Sequence, residues 1–154
     1  MGCVSNPSLR ERLIQIAQSY FTSLEQFTPE KGFPGRTPDF VAKVLPVSFG
    51  LPPRTTDELL VDHMEMVSLI KLKNYKATIM DGTEPIVDEA KRKVVMHVKV
   101  SIETAAGPYE NEFIYIFTAN QDATLLKEVI EFVDTAAGSQ LAAQLAAGKE
   151  PARI

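Results

Sequence analysis

Four side chains in this sequence have the types and settings that proton chemistry requires: Arg36, His63, Tyr109 and Glu131. A guanidinium stays charged and presents a planar set of donors, so Arg36 suits a developing negative charge. An imidazole, with an unperturbed pKa near 6.5, serves as acid or base at neutral pH. A phenol at position 109 can donate to a carbonyl or hydroxyl oxygen. A carboxyl taken out of water has its pKa raised and works near neutrality, which is the role open to Glu131. Together the four could protonate one oxygen, stabilise an anion and remove a proton elsewhere without a covalent intermediate. Each also has an ordinary reading. His63 lies in an apolar helical stripe and fits a core histidine bonded to a carbonyl equally well. Glu131 is a surface residue if its strand faces the other way.

The stretch that positions these groups runs from Val94 to Phe117 and reads as two long strands joined by a tight turn at 105–108. Successive side chains of a strand point to opposite faces. On the second strand, Tyr109, Asn111, Phe113, Tyr115 and Phe117 share one face, and Glu110 and Glu112 begin the other. An aromatic wall carrying a phenol and an amide is what a small-molecule pocket needs. Any one of Phe113, Tyr115 and Phe117 is more often plain core than pocket lining, but Asn111 among them favours a cavity, because a buried amide needs partners. Asn111, Phe113 and Tyr115 are therefore expected to line the pocket, with Phe40, Met64 and Val67 from preceding segments. On the first strand Met96, Val98, Val100 and Ile102 face inward, while His97, Lys99, Ser101 and Glu103 face outward.

Elsewhere the periodicity is helical. Leu9, Leu13, Ile16, Ala17, Tyr20, Phe21 and Leu24 form one stripe, with Ser5 or Asn6 as the expected cap and Pro7 in the first turn. A short second helix is expected from Thr37 to Leu45, stopped by Pro46. A third begins at Thr55, where Thr55 and Glu58 fit a capping box, and runs to about Lys71. The period then changes to two. Strands are expected over 75–80, 94–104, 109–118 and 126–133, with the charged run 88–93 in a connection or at a strand start. Glu131 lies between Val129 and Val133 on one face of the last strand. A short helix over 139–147 follows. Three helices and an antiparallel meander imply an α+β fold, one domain over 1–154 with frayed ends at 1–6 and 149–154. The sheet, mostly antiparallel and four-stranded, curls into a cone-shaped barrel.

Composition excludes several classes. A net charge of −4 with interspersed signs, and no basic patch threaded with aromatics, argues against nucleic acid. No apolar run approaches the roughly 20 residues of a membrane span. One cysteine, Cys3, excludes an internal disulfide, and His63 and His97 are far apart, so no metal site is expected. Met1-Gly2-Cys3 resembles an acylation signal, but Asn6 stands where Ser or Thr is required, so the segment reads as a lead-in to the first helix. No secretory pattern is visible, which points to the cytoplasm.

Three stretches carry a family resemblance: Arg36-Thr37-Pro38-Asp39 followed by Leu45-Pro46, then Gly107-Pro108-Tyr109-Glu110-Asn111-Glu112, and Glu131-Phe132-Val133-Asp134. In order and spacing the chain resembles the nuclear transport factor 2-like superfamily and, within it, the small SnoaL-like fungal isomerases and cyclases of polyketide, meroterpenoid and indole-alkaloid pathways. The resemblance implies a cofactor-independent enzyme that rearranges or cyclises a hydrophobic polycyclic intermediate, by a semipinacol-type or ring rearrangement. It implies roles for Arg36, Tyr109 and Glu131, which match the motifs of the alkaloid semipinacolase group, and for His63 as in the meroterpenoid isomerases. A second tyrosine expected on the Tyr109 face is Phe113 here. Members of the superfamily commonly pair face to face, so a homodimer is expected. The same cone also serves as a carrier of hydrophobic small molecules or as a docking module, and both remain open alternatives.

Overall fold

The first helix, α1 (Leu9–Glu25), is started by a reciprocal cap. The Ser8 N–H donates to Glu11 Oε2 (2.7 Å) and the Glu11 N–H to Ser8 Oγ (3.2 Å). The start therefore lies two to three residues later than Ser5 or Asn6, because only Ser8 has a glutamate three positions on, and Pro7 precedes the cap. These features come from a computed structural model that describes residue 2 and residues 5–149. Cys3, and with it the acylation reading, lies outside the described residues, as does the end of the chain from 150.

The chain then forms β1 (Arg36–Leu45), a 3-10 turn (Val47–Phe49), α2 (Thr56–Ile70), β2 (Lys73–Ile79), β3 (Ile86–Asp88), β4 (Lys93–Thr104), β5 (Gly107–Ala119), β6 (Leu126–Val133) and α3 (Thr135–Lys149). The segment expected as a second helix is thus the strand β1, and two helices rather than three precede the sheet's long strands. Phe40, Val41, Val44 and Leu45 satisfy either period, and pairing with β6 decides between them. Val41 to Leu45 run parallel to Glu128 to Phe132. Thr37-Pro38-Asp39-Phe40 fall in the register shift between Arg36 and Val41, so Pro38 sits where no ladder N–H is needed.

The sheet is six-stranded and mixed, in the order β1-β6-β5-β4-β2, with β3 also paired to β4. This replaces the expected four-stranded, mostly antiparallel sheet. The parallel edge comes from β1, and β3 makes a short hairpin with β4 out of residues expected beside a charged connection. The long β4–β5 hairpin holds as expected, with Val98 opposite Phe113 and Met96 opposite Tyr115. Its inner face packs on α1. Leu13, Ala17, Tyr20 and Phe21 meet Val94, Met96, Val98 and Val100 of β4, Tyr115 and Phe117 of β5, and Val129 of β6. The last helix starts at Thr135, four residues before the expected Ser139, and packs on α2 and β5. No described helix is long and apolar enough to cross a membrane.

The second helix repeats the device of the first. Thr55 Oγ1 accepts from the Glu58 N–H (3.3 Å), and Glu58 Oε1 accepts from the Thr55 N–H (3.4 Å). Replacing Thr55 by alanine leaves donors of the first turn unpaired. Urea unfolding of Thr55→Ala should show a loss of about 1 kcal/mol with an unchanged m-value.

Candidate functional site

Three segments bring ionisable groups to one end of the inner face. Glu131 pairs with Tyr115 across the antiparallel ladder, so the two side chains lie side by side on the inward face. Arg36 opens β1 opposite Leu126, and its approach is set by Gly35, whose carbonyl accepts the Leu126 N–H (2.9 Å) and whose φ of +81° suits only glycine well. Tyr20 comes from the buried stripe of α1. Its hydroxyl donates to Glu131 Oε1 at 2.6 Å. The Arg36 guanidinium lies over three rings, with its carbon 4.5 Å from the centroid of Phe33, 4.6 Å from Phe40 and 5.2 Å from Tyr20. Weakly hydrated guanidinium tolerates such an aromatic box better than an ammonium does.

The electrostatics follow from this enclosure. Burial pushes the Glu131 carboxyl above its ordinary range, against the Tyr20 hydrogen bond and the Arg36 charge, which pull it down. Burial lowers the Arg36 pKa, while Tyr20 and Glu131 support its charge. The Tyr20 phenol is held well above its usual value by burial and then by Glu131. Tyr115 is raised in the same way, by burial first and Glu131 next. The result is a carboxyl poised to hold a proton, next to a fixed cation and surrounded by neutral phenols. Among the described residues, Arg36 Nη1, Thr37 Oγ1 and Tyr75 Oη are buried side-chain atoms without a hydrogen-bond partner. Two of them, on Arg36 and Tyr75, belong to residues that feel the Glu131 charge, whereas Thr37 stands beside Asp39; under-bonded polar atoms near an enclosed carboxyl are what a site built for an oxygenated ligand would show.

The other expected site residues fall in two further places. His63 is buried between Phe27 and Phe33, at ring-centroid distances of 4.3 and 5.5 Å, and burial lowers its pKa. It touches Phe33, the ring that also carries Arg36, and lines a groove of about 350 Å³ with Met64, Val67, Leu24, Leu72 and Tyr75. Met64 and Val67 are exposed along it. Tyr109 and Asn111 are buried at the opposite end of β5. Asn111 Nδ2 donates to Tyr109 Oη (2.7 Å) and to the Asp134 carbonyl (3.3 Å), and Asn111 Oδ1 accepts the Glu112 N–H (2.7 Å). The amide is fully engaged, so Asn111 orients Tyr109, whose own O–H stays free to donate. Phe113 is half-buried between the two ends, its ring 5.1 Å from that of Tyr115. The structure therefore brings Arg36, Phe40, Tyr115 and Glu131 to one end of the inner face, with Tyr20 linking Arg36 to Glu131. It sets His63 behind Phe33 and Tyr109 six residues further along the strand, about 20 Å of backbone.

Sequence reasoning assigned Tyr20, Phe33 and Tyr75 no site role. Tyr20 appeared only as part of an apolar helix stripe, yet a buried phenol needs a partner, and an inward carboxylate was already expected. Among the described residues no three His, Cys, Asp or Glu side chains gather into a metal-binding group.

No protein-family model matches the chain. Individual relatives do. BvnE pinacolase from Penicillium brevicompactum is 37% identical, covers 93% of this chain and all of its own, and superposes with a TM-score of 0.84. Austinoid biosynthesis clusters protein S of Emericella nidulans is 31% identical over 141 residues, 90% of this chain and 96% of its own length. An NTF2-like protein of unknown function from Burkholderia pseudomallei, 12% identical with a TM-score of 0.64 over 84% of this chain and 96% of its own, shares the fold alone.

The raised pKa of Glu131 makes stability depend on pH. A carboxyl whose pKa is higher in the folded state binds its proton more tightly there. Its contribution is fully present below the unfolded value, near 4.3, and is lost as pH rises toward the folded value. Glu131→Gln removes that titration while keeping an acceptor for Tyr20. Urea unfolding of both proteins between pH 4 and 8 should show the glutamine variant gaining on the wild type as pH rises.

Proposed function

The chain belongs to the NTF2-like group of fungal natural-product isomerases, and from that premise we propose that it rearranges a polycyclic secondary-metabolite intermediate by acid–base catalysis without a cofactor. The substrate class is a polyketide, a meroterpenoid or an indole alkaloid, carrying oxygen on an otherwise apolar skeleton. The observation that carries this reading is the Glu131 carboxyl, hydrogen-bonded to Tyr20 and set beside Arg36 inside an aromatic enclosure.

An isomerisation moves bonds within one molecule, so a proton donor, a proton acceptor and a charge stabiliser are sufficient. Glu131, whose burial favours the neutral form, gives its proton to a carbonyl or ether oxygen that the product retains, and so promotes migration of the neighbouring bond. Tyr20 holds the carboxyl in place and stabilises the carboxylate that results. Arg36, with Nη1 unengaged, balances negative charge on that carboxylate or on the substrate oxygen. As the rearranged cation collapses to a carbonyl or alkene, the carboxylate takes a proton back. Tyr109 orients the far end of the skeleton through its free O–H, with Asn111 locking its ring. Neutral His63, at the groove, supplies a second acceptor for substrates reaching that far. Acid–base catalysis of this type contributes roughly 10²–10⁴ in rate, and holding a flexible skeleton in one reactive shape adds more.

A homodimer is proposed on the outer face of the sheet. Ile114 and Phe132, neighbours across the β5–β6 ladder, are 39% and 49% exposed there. Val95, Ile116 and Ile130 are half-buried on the same face, an apolar surface of the kind that marks association. Equilibrium sedimentation should give twice the chain mass for the wild type and the chain mass for Phe132→Glu. A monomeric wild type at micromolar concentration overturns the dimer.

The catalytic reading is tested by deleting the gene from its producing host and applying the purified protein to the extract. One accumulated compound should disappear while another of identical mass appears, with nothing else added. Glu131→Gln should slow the conversion by about 10²–10⁴-fold. Full turnover by that variant removes Glu131 from the mechanism. Tight binding of the accumulated compound without conversion replaces the enzyme with a carrier.

A further inference from the structure

The strand β2 carries an irregularity with a chemical consequence. Lys73 pairs with Glu103 of β4, but Lys76 pairs with Ser101, so three steps on β2 oppose two on β4. The extra residue makes a β-bulge, and Asn74 within it has φ of +55°. Both Lys73 and Asn74 turn to the same outward carboxylate. Asn74 Nδ2 donates to Glu103 Oε2 at 3.0 Å and Lys73 Nζ lies 3.8 Å from it. Fixing these two on one side sends the next residue, Tyr75, to the other. Bulges re-aim side chains in this way and recur beside active sites.

Tyr75 reaches between two places already described. Its body lines the groove with His63, Met64 and Val67. Its hydroxyl is sealed from solvent and makes no well-formed hydrogen bond: it faces the Tyr115 hydroxyl at the margin of hydrogen-bond reach and lies close enough to Glu131 to feel its charge. A tyrosine kept only for packing finds a partner for its hydroxyl or gives way to phenylalanine, because an unpaired buried hydroxyl lowers stability. The under-bonded hydroxyl is thus available to an oxygen that approaches more closely than Tyr115 does. It also marks where the groove and the carboxyl site meet.

We infer that Tyr75 is a substrate-contacting residue, its hydroxyl bonding a carbonyl or hydroxyl oxygen of a substrate that enters through the His63 groove and stops beside Glu131. This rests on the proposed site around Glu131. It adds a contact at the groove end and fixes the direction from which the skeleton arrives. The oxygen on Tyr75 is a second one, distinct from that protonated by Glu131, so the preferred substrates carry two oxygens on one edge.

Cyclohexanone, a small ring with one carbonyl, tests the contact without knowledge of the substrate. Crystals of the wild type soaked in it should place the carbonyl oxygen about 2.7 Å from Tyr75 Oη. An NMR titration should show Tyr75→Phe binding the ketone about tenfold more weakly, with a melting temperature equal to or above that of the wild type. A structural role for the hydroxyl predicts a lower melting temperature instead. Three results overturn the inference: a hydroxyl bonded only to protein, a ketone held equally well by Tyr75→Phe, or no ketone inside the protein. If the ketone sits on Arg36 or Glu131 and ignores Tyr75, the carboxyl site stands and this contact alone fails. If the interior stays closed to it and Glu131→Gln retains full turnover, the site itself falls.

Discussion

The structure depends on keeping a carboxyl and a guanidinium out of water together. Either charge would be costly to bury: burial favours the neutral form of Glu131, and the guanidinium, which stays charged, needs support from the groups around it. The hydrogen bond from Tyr20 partners the Glu131 carboxyl. The rings of Phe33, Phe40 and Tyr20 supply a surface on which the guanidinium of Arg36 can lie without its water shell. Much of the fold serves this arrangement. One buried stripe of α1 delivers Tyr20, a left-handed glycine turns the chain into Arg36, and parallel pairing of β1 with β6 brings the Arg36 strand alongside that of Glu131.

The inner face of β5 works as a ruler along which the remaining polar groups are spaced. Tyr109 and Asn111 form a polar station at one end, and Tyr115 beside Glu131 belongs to the other. Phe113 separates them. Because Asn111 spends its amide on Tyr109, Asp134 and Glu112, the far station is rigid and offers a single free donor. The near station is crowded with phenols and one carboxyl, and its open valences are those of Arg36 and Tyr75. A rigid single donor suits orientation, and a carboxyl with a raised pKa suits proton transfer.

Much of this was legible in the residues. Alternation in β4, β5 and β6 identified the inward faces correctly, including Asn111, Tyr115 and Glu131, because long strands with one buried face leave little doubt about register. The capping box at Thr55 and Glu58 fixed the start of α2. Legibility failed where local pattern and tertiary pairing disagree. Residues 37–45 fit a helix by spacing and became a strand because β6 presents an open edge. Pro7 fits the first turn of a helix capped at Asn6 as well as the residue before a cap at Ser8, and the reciprocal bonds with Glu11 decide for Ser8. The joining of Arg36 to Glu131 was implied by family resemblance rather than by spacing, since 95 positions separate them in sequence and only the β1–β6 pairing brings them together. Tyr75 could not be singled out at all, because the bulge that aims it depends on Glu103 of another strand.

The chain holds four tyrosines, and their distribution bears on where its chemistry lies. Tyr20, Tyr75 and Tyr115 all stand close enough to Glu131 for its charge to raise their pKa values, after burial itself. Only Tyr109 stands apart. The family pattern implied a second phenol at position 113, midway along β5, and phenylalanine occupies it. Losing that hydroxyl leaves the middle of the inner face apolar, while three phenols drawn from α1, β2 and β5 cluster at one end. Under the proposed mechanism this shifts proton transfer toward Glu131 and leaves the Tyr109 end to binding.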